Sequence, residues 1–300
     1  MKNEKLIFGV MSGTSLDGID VVLIKIGNKN IKLIDFAHKP YSNKLANALL
    51  LIQKPIHNDL ELSIELGLLH AQTTASMINT MLKKLNIYPK KVCCIGYHGQ
   101  TIRHQPSKKF SVQIGNAHML AEKTNIAVVA DFRNRDIVAG GQGAPLVPSF
   151  HQKVFSSRTK NRVIINVGGI SNLTYLKIGD KLIGFDCGPG NLLLDYWVQK
   201  NKNKNYDDKG KWASTGNIIP NLLIEFMKEP FFQKKPPKST GRDLFNSCWL
   251  EKFDHKKESP EDVQRTLLEL TAISIKLAIV RYCNEVDPLF MYVFLSMLLG

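Results

Sequence analysis

The sequence predicts an α/β fold whose opening pattern is built twice. Short β-branched runs alternate with longer stretches of helical spacing, the same strand–turn–strand opening recurs in each half, and 44% hydrophobic with 22% charged residues over 300 positions is a globular composition. Alternation of this kind layers helices on sheets. A repeat so widely spaced is too long for a solenoid period, so it predicts two related domains facing each other.

The elements follow in order. Residues 6–10 and 20–26 read as strands around a polar turn and 31–37 as a third, so an antiparallel meander opens the chain. Residues 60–85 carry apolar side chains at helical spacing, with Asn58 or Asp59 placed to cap the first turn. Residues 92–97, 110–114 and 126–130 are strand candidates, and 116–123 a helix. The second opening spans 162–191: a β-branched strand enters Gly168 to Ser171 as the first enters Gly9 to Ser15, and a second strand leaves each turn. Between 130 and 148 the GGQGAP stretch marks a flexible crossing, which divides the chain into domains 1–135 and 136–300. Ser259, Pro260 and Asp262 supply an N-cap, a first-turn proline and a first-turn acid for a helix to about Cys283.

The 40 basic and 26 acidic residues leave a net charge of +14. Only 8 of the basic residues are Arg, and many of the 32 Lys lie among Asn in solvated stretches such as KNKNKNYDDKGK. Without a basic stripe interleaved with aromatics, no nucleic-acid partner is expected. Five cysteines with no CxxC pair argue against a disulfide framework or a zinc site and for reduced thiols. The first residues fail as a signal peptide, and the longest apolar stretch, 289–299, is too short to span a membrane. A cytoplasmic protein with no membrane partner is the expectation.

Three stretches carry candidate chemistry. In MSGTSLDGID, Met11 to Asp20, a Gly/Ser/Thr turn gathers backbone N–H groups into one concavity that can hold phosphate oxygens. Asp17 or Asp20 could orient a magnesium ion directly or through water. Taken alone, a Gly/Ser/Thr-rich turn is more often only a hairpin. The second copy, NVGGISN at Asn166 to Asn172, favours a nucleotide cleft closed by two hairpins; neither a Walker sequence nor GxGxxG between strand and helix is present. In IGFDCGPGN, Asp186 ends a strand beside a helix N-terminus, where it is placed as a base toward a hydroxyl or water, or only caps the turn.

GVMSGTSLDGID, GYHGQTIRHQP, ADFRNRDIVAGGQGAPLVP, INVGGISNLTYL, FDCGPGN and STGRDLFN, in this order, closely resemble the anhydro-N-acetylmuramic acid kinases. The resemblance spans residues 8–246 and continues faintly through the following helix. It implies an α/β fold of two facing RNase H-like domains, as in actin, hexokinase and Hsp70-type ATPases, with a nucleotide cleft between them. It implies ATP and Mg2+ as cofactors, a small-molecule sugar as partner, and room for a homodimer. The implied reaction opens the 1,6-anhydro bridge of anhydro-N-acetylmuramic acid with water and phosphorylates the freed O6.

By motif, Asp186 matches the base that activates water. Gly13, Thr14, Ser15, Leu16, Asp17, Gly18, Ile19 and Asp20 match the ATP phosphate segment, completed by Gly168 and Gly169. No metal ligand is expected beyond magnesium carried by ATP. Gln100, Thr101, Arg133 and Asp136 are assigned to the sugar: Arg133 either forks to the lactyl carboxylate or pairs with Asp131 or Asp136. His98 and His104 either touch substrate or pack and bond the backbone. Cys187 stands where the family usually has Thr.

The resemblance stops near the C-terminus. Residues 290–293 look like the family's next strand, but FLSMLLG follows in place of a Gly-rich adenosine turn. The expectation is an incomplete second domain from a frameshift or premature stop, with weak ATP binding, an exposed sheet edge and a tendency to aggregate.

Overall fold

The computed structural model describes residues 4–27, 30–53, 55–179, 182–255, 257–283 and, for backbone alone, 291–295. The expectation for residues 296–300 lies outside the described residues, as does Phe290. The chain divides into two compact units, Met1–Gly143 and Ala144–Gly300.

In the first unit, β1 (Lys5–Ser12), β2 (Gly18–Ile26) and β3 (Ile31–Pro40) form the expected meander. After α1 (Asn43–Leu51) comes α2 (Asp59–Leu85), whose buried face packs on this sheet. Phe8, Val10, Ile19, Val21 and Leu23 meet Ala75, Ile78, Met81 and Leu82 in one core. Period-two burial on the strands and helical burial on α2 supply the two faces. Asn58 does occupy the cap position, but in the left-handed conformation and without a side-chain cap bond. Asp59 and Glu61 in the first turn supply the charge that the helix N-terminus favours.

The next strand, β4, runs Val92–Gln105, well past the six residues predicted, because it changes partners along its length. Its first half lies parallel to β1 and to β6 (Val128–Ala130), and from Gln100 it pairs antiparallel with β5 (Phe110–Ile114) across a register shift at Thr101/Arg103. The sheet order is β3-β2-β1-β4-β5 with β6 on β4. Polar HGQTIRHQ conceals this second half from a hydrophobicity pattern. Helices α3 (Ala117–Thr124) and α4 (Phe132–Val138) flank β6 in sequence.

In the second unit, α5 (Pro148–Phe155) precedes an antiparallel meander of β7 (Arg162–Val167), β8 (Ile170–Leu176) and β9 (Ile183–Pro189). Then follow α6 (Leu192–Lys202), α7 (Pro220–Met227), α8 (Ser247–Leu250), α9 (Pro260–Tyr282) and β10 (Met291–Leu295). The sheet order is β10-β7-β8-β9, with β10 parallel to β7. Ser259 caps α9 as predicted, its hydroxyl accepting the Asp262 N–H at 3.3 Å. One face of α9 packs on Val163, Ile165, Leu173 and Phe185 through Ala278. Nearer its start, Val263, Leu267 and Leu270 join an aromatic core of Trp197, Phe226, Phe231, Phe245 and Trp249. That core fixes α6 and the 230–250 segment against α9, which in turn sets the end of β9.

Candidate active site

The turn between β1 and β2 is braced from below. Ser12 is buried and donates to the Gly99 carbonyl at 2.8 Å. Gln100 is fully buried: its amide nitrogen donates to the Gly13 carbonyl (3.0 Å) and its oxygen accepts from the Tyr41 hydroxyl (3.2 Å). The Tyr41 N–H donates to the Asp17 carbonyl at 3.0 Å. Burial pushes the Tyr41 hydroxyl up to about 12, so it stays a donor. Leu16 takes a positive φ of 61° and plugs a small core with Leu49, Ile52, Leu66 and Ile114. At Gly18 a side chain would meet the Lys39 carbonyl at 2.4 Å, so only glycine lets β3 close over the turn.

Thr14, Ser15 and Asp17 therefore ride on a fixed loop, with Ile19 buried behind it. Asp20 is engaged elsewhere, its carboxylate 2.8 Å from His38 Nδ1. Asp17 is exposed. Among the described residues no three His, Cys, Asp or Glu side chains converge as a metal cage. An exposed carboxylate on such a turn is a hard oxygen donor of the kind that suits a magnesium ion keeping its waters.

The remaining polar residues of this unit gather where β4, β5 and α4 meet. Arg133 Nε donates to His98 Nε2 at 2.9 Å, and its Nη1 donates to the Gly143 carbonyl at 2.5 Å. His98 Nδ1 in turn donates to the Gly99 carbonyl at 2.6 Å, the backbone-bonding role expected as one of its alternatives. Burial, with the Arg133 charge second, lowers both His98 and His104 to about 4, so both rings are neutral at pH 7. His104 Nδ1 lies 2.9 Å from Ser111 Oγ, and Gln113 Nε2 donates to Thr101 Oγ1 at 3.3 Å. His104 Nε2, Gln105 Oε1 and Gln113 Oε1 are buried with no hydrogen-bond partner. Asp136 accepts the Gly143 N–H at 2.7 Å and lies so close to Gly141 that a Cβ there would overlap it. Arg133 and Thr101 thus share one polar cluster, whereas Asp136 ties down the loop after α4 and Gln100 braces the hairpin.

In the second unit the β7–β8 turn sits against the start of α6. The N–H groups of Gly190, Asn191 and Leu192 donate to the carbonyls of Gly169, Gly168 and Gly169 at 2.9, 2.8 and 3.3 Å. These are helix-start donors that lack intrahelical partners. A Cβ on Gly190 would stand 2.0 Å from the Gly168 oxygen, so this approach needs glycine. Thr271 of α9 donates to the Gly190 carbonyl at 3.0 Å and fixes the corner from behind.

Asp186, at the end of β9, is 5% exposed. Its Oδ2 accepts the Thr240 N–H at 2.9 Å, and its own N–H donates to the Lys238 carbonyl at 3.1 Å. Lys238 is buried with its ammonium 4.5 Å from the Phe231 ring centroid and 3.2 Å from the Phe231 carbonyl. Burial lowers its pKa, while neighbouring Cys187 and Asp186 oppose the shift. The Cys187 thiol is held well above its ordinary range, first by burial and then by Asp186, so it is an inert neutral group beside the carboxylate.

Sequence patterns missed several partners. Asn172 lies across the β8–β9 ladder from Asp186, and its Oδ1, like Thr240 Oγ1 and Asp195 Oδ1, is buried without a hydrogen bond. Burial raises Asp195 to about 7 against the opposing charge of Arg242, whose own pKa burial lowers. An acid inside the apolar run LLLDYW, and an Arg inside STGRDLFN, were the available signals. His70 and Tyr41 carried none.

No helix among the described residues is long and apolar enough to cross a membrane. The family model described as anhydro-N-acetylmuramic acid kinase matches residues 5–292. The anhydro-N-acetylmuramic acid kinase of Nitrosospira multiformis is 45% identical over 284 residues, covering 94% of this chain and 78% of that protein. That of Pseudomonas fluorescens is 45% identical, covering 90% and 75%. Among solved structures, a Ppx/GppA family member from Aquifex aeolicus aligns at 8% identity over 91% of this chain and 89% of its own, with a TM-score of 0.37. That last likeness is too loose to define an architecture. The extent and identity of the first three matches leave no ambiguity: the chain belongs to the anhydro-N-acetylmuramic acid kinase family.

Proposed function

We propose that the protein is an ATP-dependent kinase that converts 1,6-anhydro-N-acetylmuramic acid and water to N-acetylmuramic acid 6-phosphate, serving cell-wall sugar recycling in the cytoplasm. The observation that carries the chemistry is Asp186: a buried carboxylate at a strand end, oriented by the Thr240 N–H and set beside the start of α6. In the proposed reaction Asp186 takes a proton from water as its oxygen bonds to C1. The C1–O6 bond breaks, O6 bonds to the γ-phosphorus, and ADP departs. O6 is leaving group and nucleophile in turn, so the protein chiefly aligns three reactants and neutralises charge.

Gly13 to Asp20 and the Gly168–Gly169 turn are the proposed phosphate segments. Asp17 would hold Mg2+ through water, the ion supplying charge neutralisation at the phosphates. Arg133 and Thr101 are the proposed sugar contacts. The partnerless His104, Gln105 and Gln113 atoms around them support a hydroxyl-rich ligand, because buried polar groups gain most from a partner they lack. The proposed organisation is the actin-type fold implied by the sequence.

The test is ATP-dependent turnover of anhydro-N-acetylmuramic acid by the wild type and Asp186→Asn. Loss of about 10²–10⁴-fold in kcat with the unfolding midpoint retained is expected. Unchanged turnover in the variant would remove Asp186 as base, and turnover of unbridged sugars alone would point to another sugar kinase chemistry.

A further inference from the structure

Beneath the β1–β2 turn lies a continuous chain of buried hydrogen bonds that the proposed reaction does not use. His70, on α2 and 4% exposed, has Nε2 3.0 Å from Ser12 Oγ and Nδ1 2.7 Å from the Tyr97 hydroxyl. Ser12, 1% exposed, is the last residue of β1 and adjoins Gly13. The proton positions follow from the partners. Ser12 has one hydroxyl proton, and the Gly99 carbonyl 2.8 Å away can only accept it. His70 Nε2 must then donate to Ser12, which leaves Nδ1 as acceptor and Tyr97 as its donor. The Asn116 N–H completes the series by donating to the Tyr97 oxygen.

Every member must be neutral for this order to hold. Burial lowers His70 to about 4 and holds the Tyr97 hydroxyl far above its ordinary value, in agreement with the geometry. Close approach is also built in: a Cβ on Gly115 would stand 2.5 Å from the Tyr97 hydroxyl. A Ser–His contact could suggest a nucleophile, but Ser12 is enclosed and its proton is directed to a carbonyl, so it has neither access nor an activated oxygen.

We propose that His70 is a positioning residue for nucleotide phosphate, acting through Ser12 to set the Gly13–Leu16 backbone. The proposal rests on that turn being the phosphate segment. The turn is otherwise held by Gln100 on the Gly13 carbonyl and by Tyr41 on the Asp17 carbonyl. The His70 series reaches the side chain entering the turn, which the Tyr41 hydroxyl and the Gly99 carbonyl also contact, and a directional network fixes orientation where apolar packing alone would not.

The experiment measures MgADP affinity by calorimetry, together with KM for ATP and for the sugar, in His70→Leu, His70→Gln, Ser12→Ala and the double variant His70→Leu/Ser12→Ala. Asp17→Asn and Thr14→Val test the turn directly. His70→Leu fills the space without a donor and should weaken MgADP and raise the ATP KM by about tenfold, leaving the sugar KM unchanged. His70→Gln can present an amide N–H toward Ser12 and should recover most of that loss. Ser12→Ala should match His70→Leu, and the double variant should be no worse than either single one, since both cut the same series.

Nucleotide affinity indifferent to Leu, or equal losses for Leu and Gln, would reduce His70 to a packing residue and overturn the proposal. So would additive losses in the double variant. Should His70→Leu not fold, Ser12→Ala and His70→Gln decide by the same criteria. If Asp17→Asn and Thr14→Val also leave MgADP binding untouched, the turn is not the phosphate segment and the underlying reading falls with the proposal. If those two weaken binding while the His70 and Ser12 variants do not, the proposal alone falls.

Discussion

Replacing Asp195 by Asn should make the second unit more stable at neutral pH, and by an amount that depends on pH. Burial holds this carboxyl at about 7 against an ordinary 3.8, with Arg242 nearby opposing the shift. A carboxyl whose folded pKa is raised favours folding most when it is protonated in both states, below the unfolded value. Its cost then grows as pH climbs from about 4 and levels off above about 7. A shift of roughly three units at about 1.4 kcal/mol each sets a ceiling of about 4 kcal/mol, and residual solvent access brings the expected figure to about 3 kcal/mol. Asn keeps the shape of the protonated acid and cannot ionise. The difference in unfolding free energy, variant minus wild type, should therefore rise by about 3 kcal/mol between about pH 4.5 and pH 8. Urea titration followed by tryptophan fluorescence suits the question, because all three tryptophans, Trp197, Trp212 and Trp249, lie in the unit that holds Asp195. A difference that stays flat across this range would show that Asp195 ionises normally, and the burial argument would be wrong.

Gly190→Ala should lower the stability of the same unit by about 1–3 kcal/mol, because the added methyl must displace the Gly168 carbonyl 2.0 Å away; an unchanged urea midpoint would contradict the close approach. Ser259→Ala removes the hydroxyl that accepts the Asp262 N–H and should cost about 1 kcal/mol, read in the same titration. A Ser259→Asp variant, which keeps an acceptor there, should lose little.

Local signals fared well where one physical rule determines the outcome. The α9 start was legible because Ser, Pro and an acid at fixed offsets act within one turn. The two meanders were legible because β-branched runs on either side of a Gly-rich turn leave few alternatives. The second half of β4 was not, since its residues pair through the backbone while their polar side chains break any hydrophobic alternation. Short helices such as α1 and α4 escaped for want of enough turns to show a period.

The site divides in the same way. Asp186 was marked by a strand running into GPG, a feature written in contiguous residues. Thr240 and Lys238 meet it only because the aromatic core brings distant segments to the end of β9. His70 and Ser12 are 58 positions apart, and nothing in either local stretch announces the other. Gln100 illustrates the reverse: its motif pointed to a ligand, while the fold turns its amide onto the Gly13 carbonyl.

The placement of β10 on the outer side of β7 bears on synthesis. Residues 162–167 leave the ribosome well over a hundred positions before residues 291–295, the strand that flanks them on that side. At about 5–20 residues per second the nascent chain carries β7 with one flank unpartnered for roughly 6–25 seconds. During that interval the peptide groups of Val163 to Val167 are open to stray strands, so slowing translation across α9 should lower the yield of folded protein, and a holdase present during elongation should restore it.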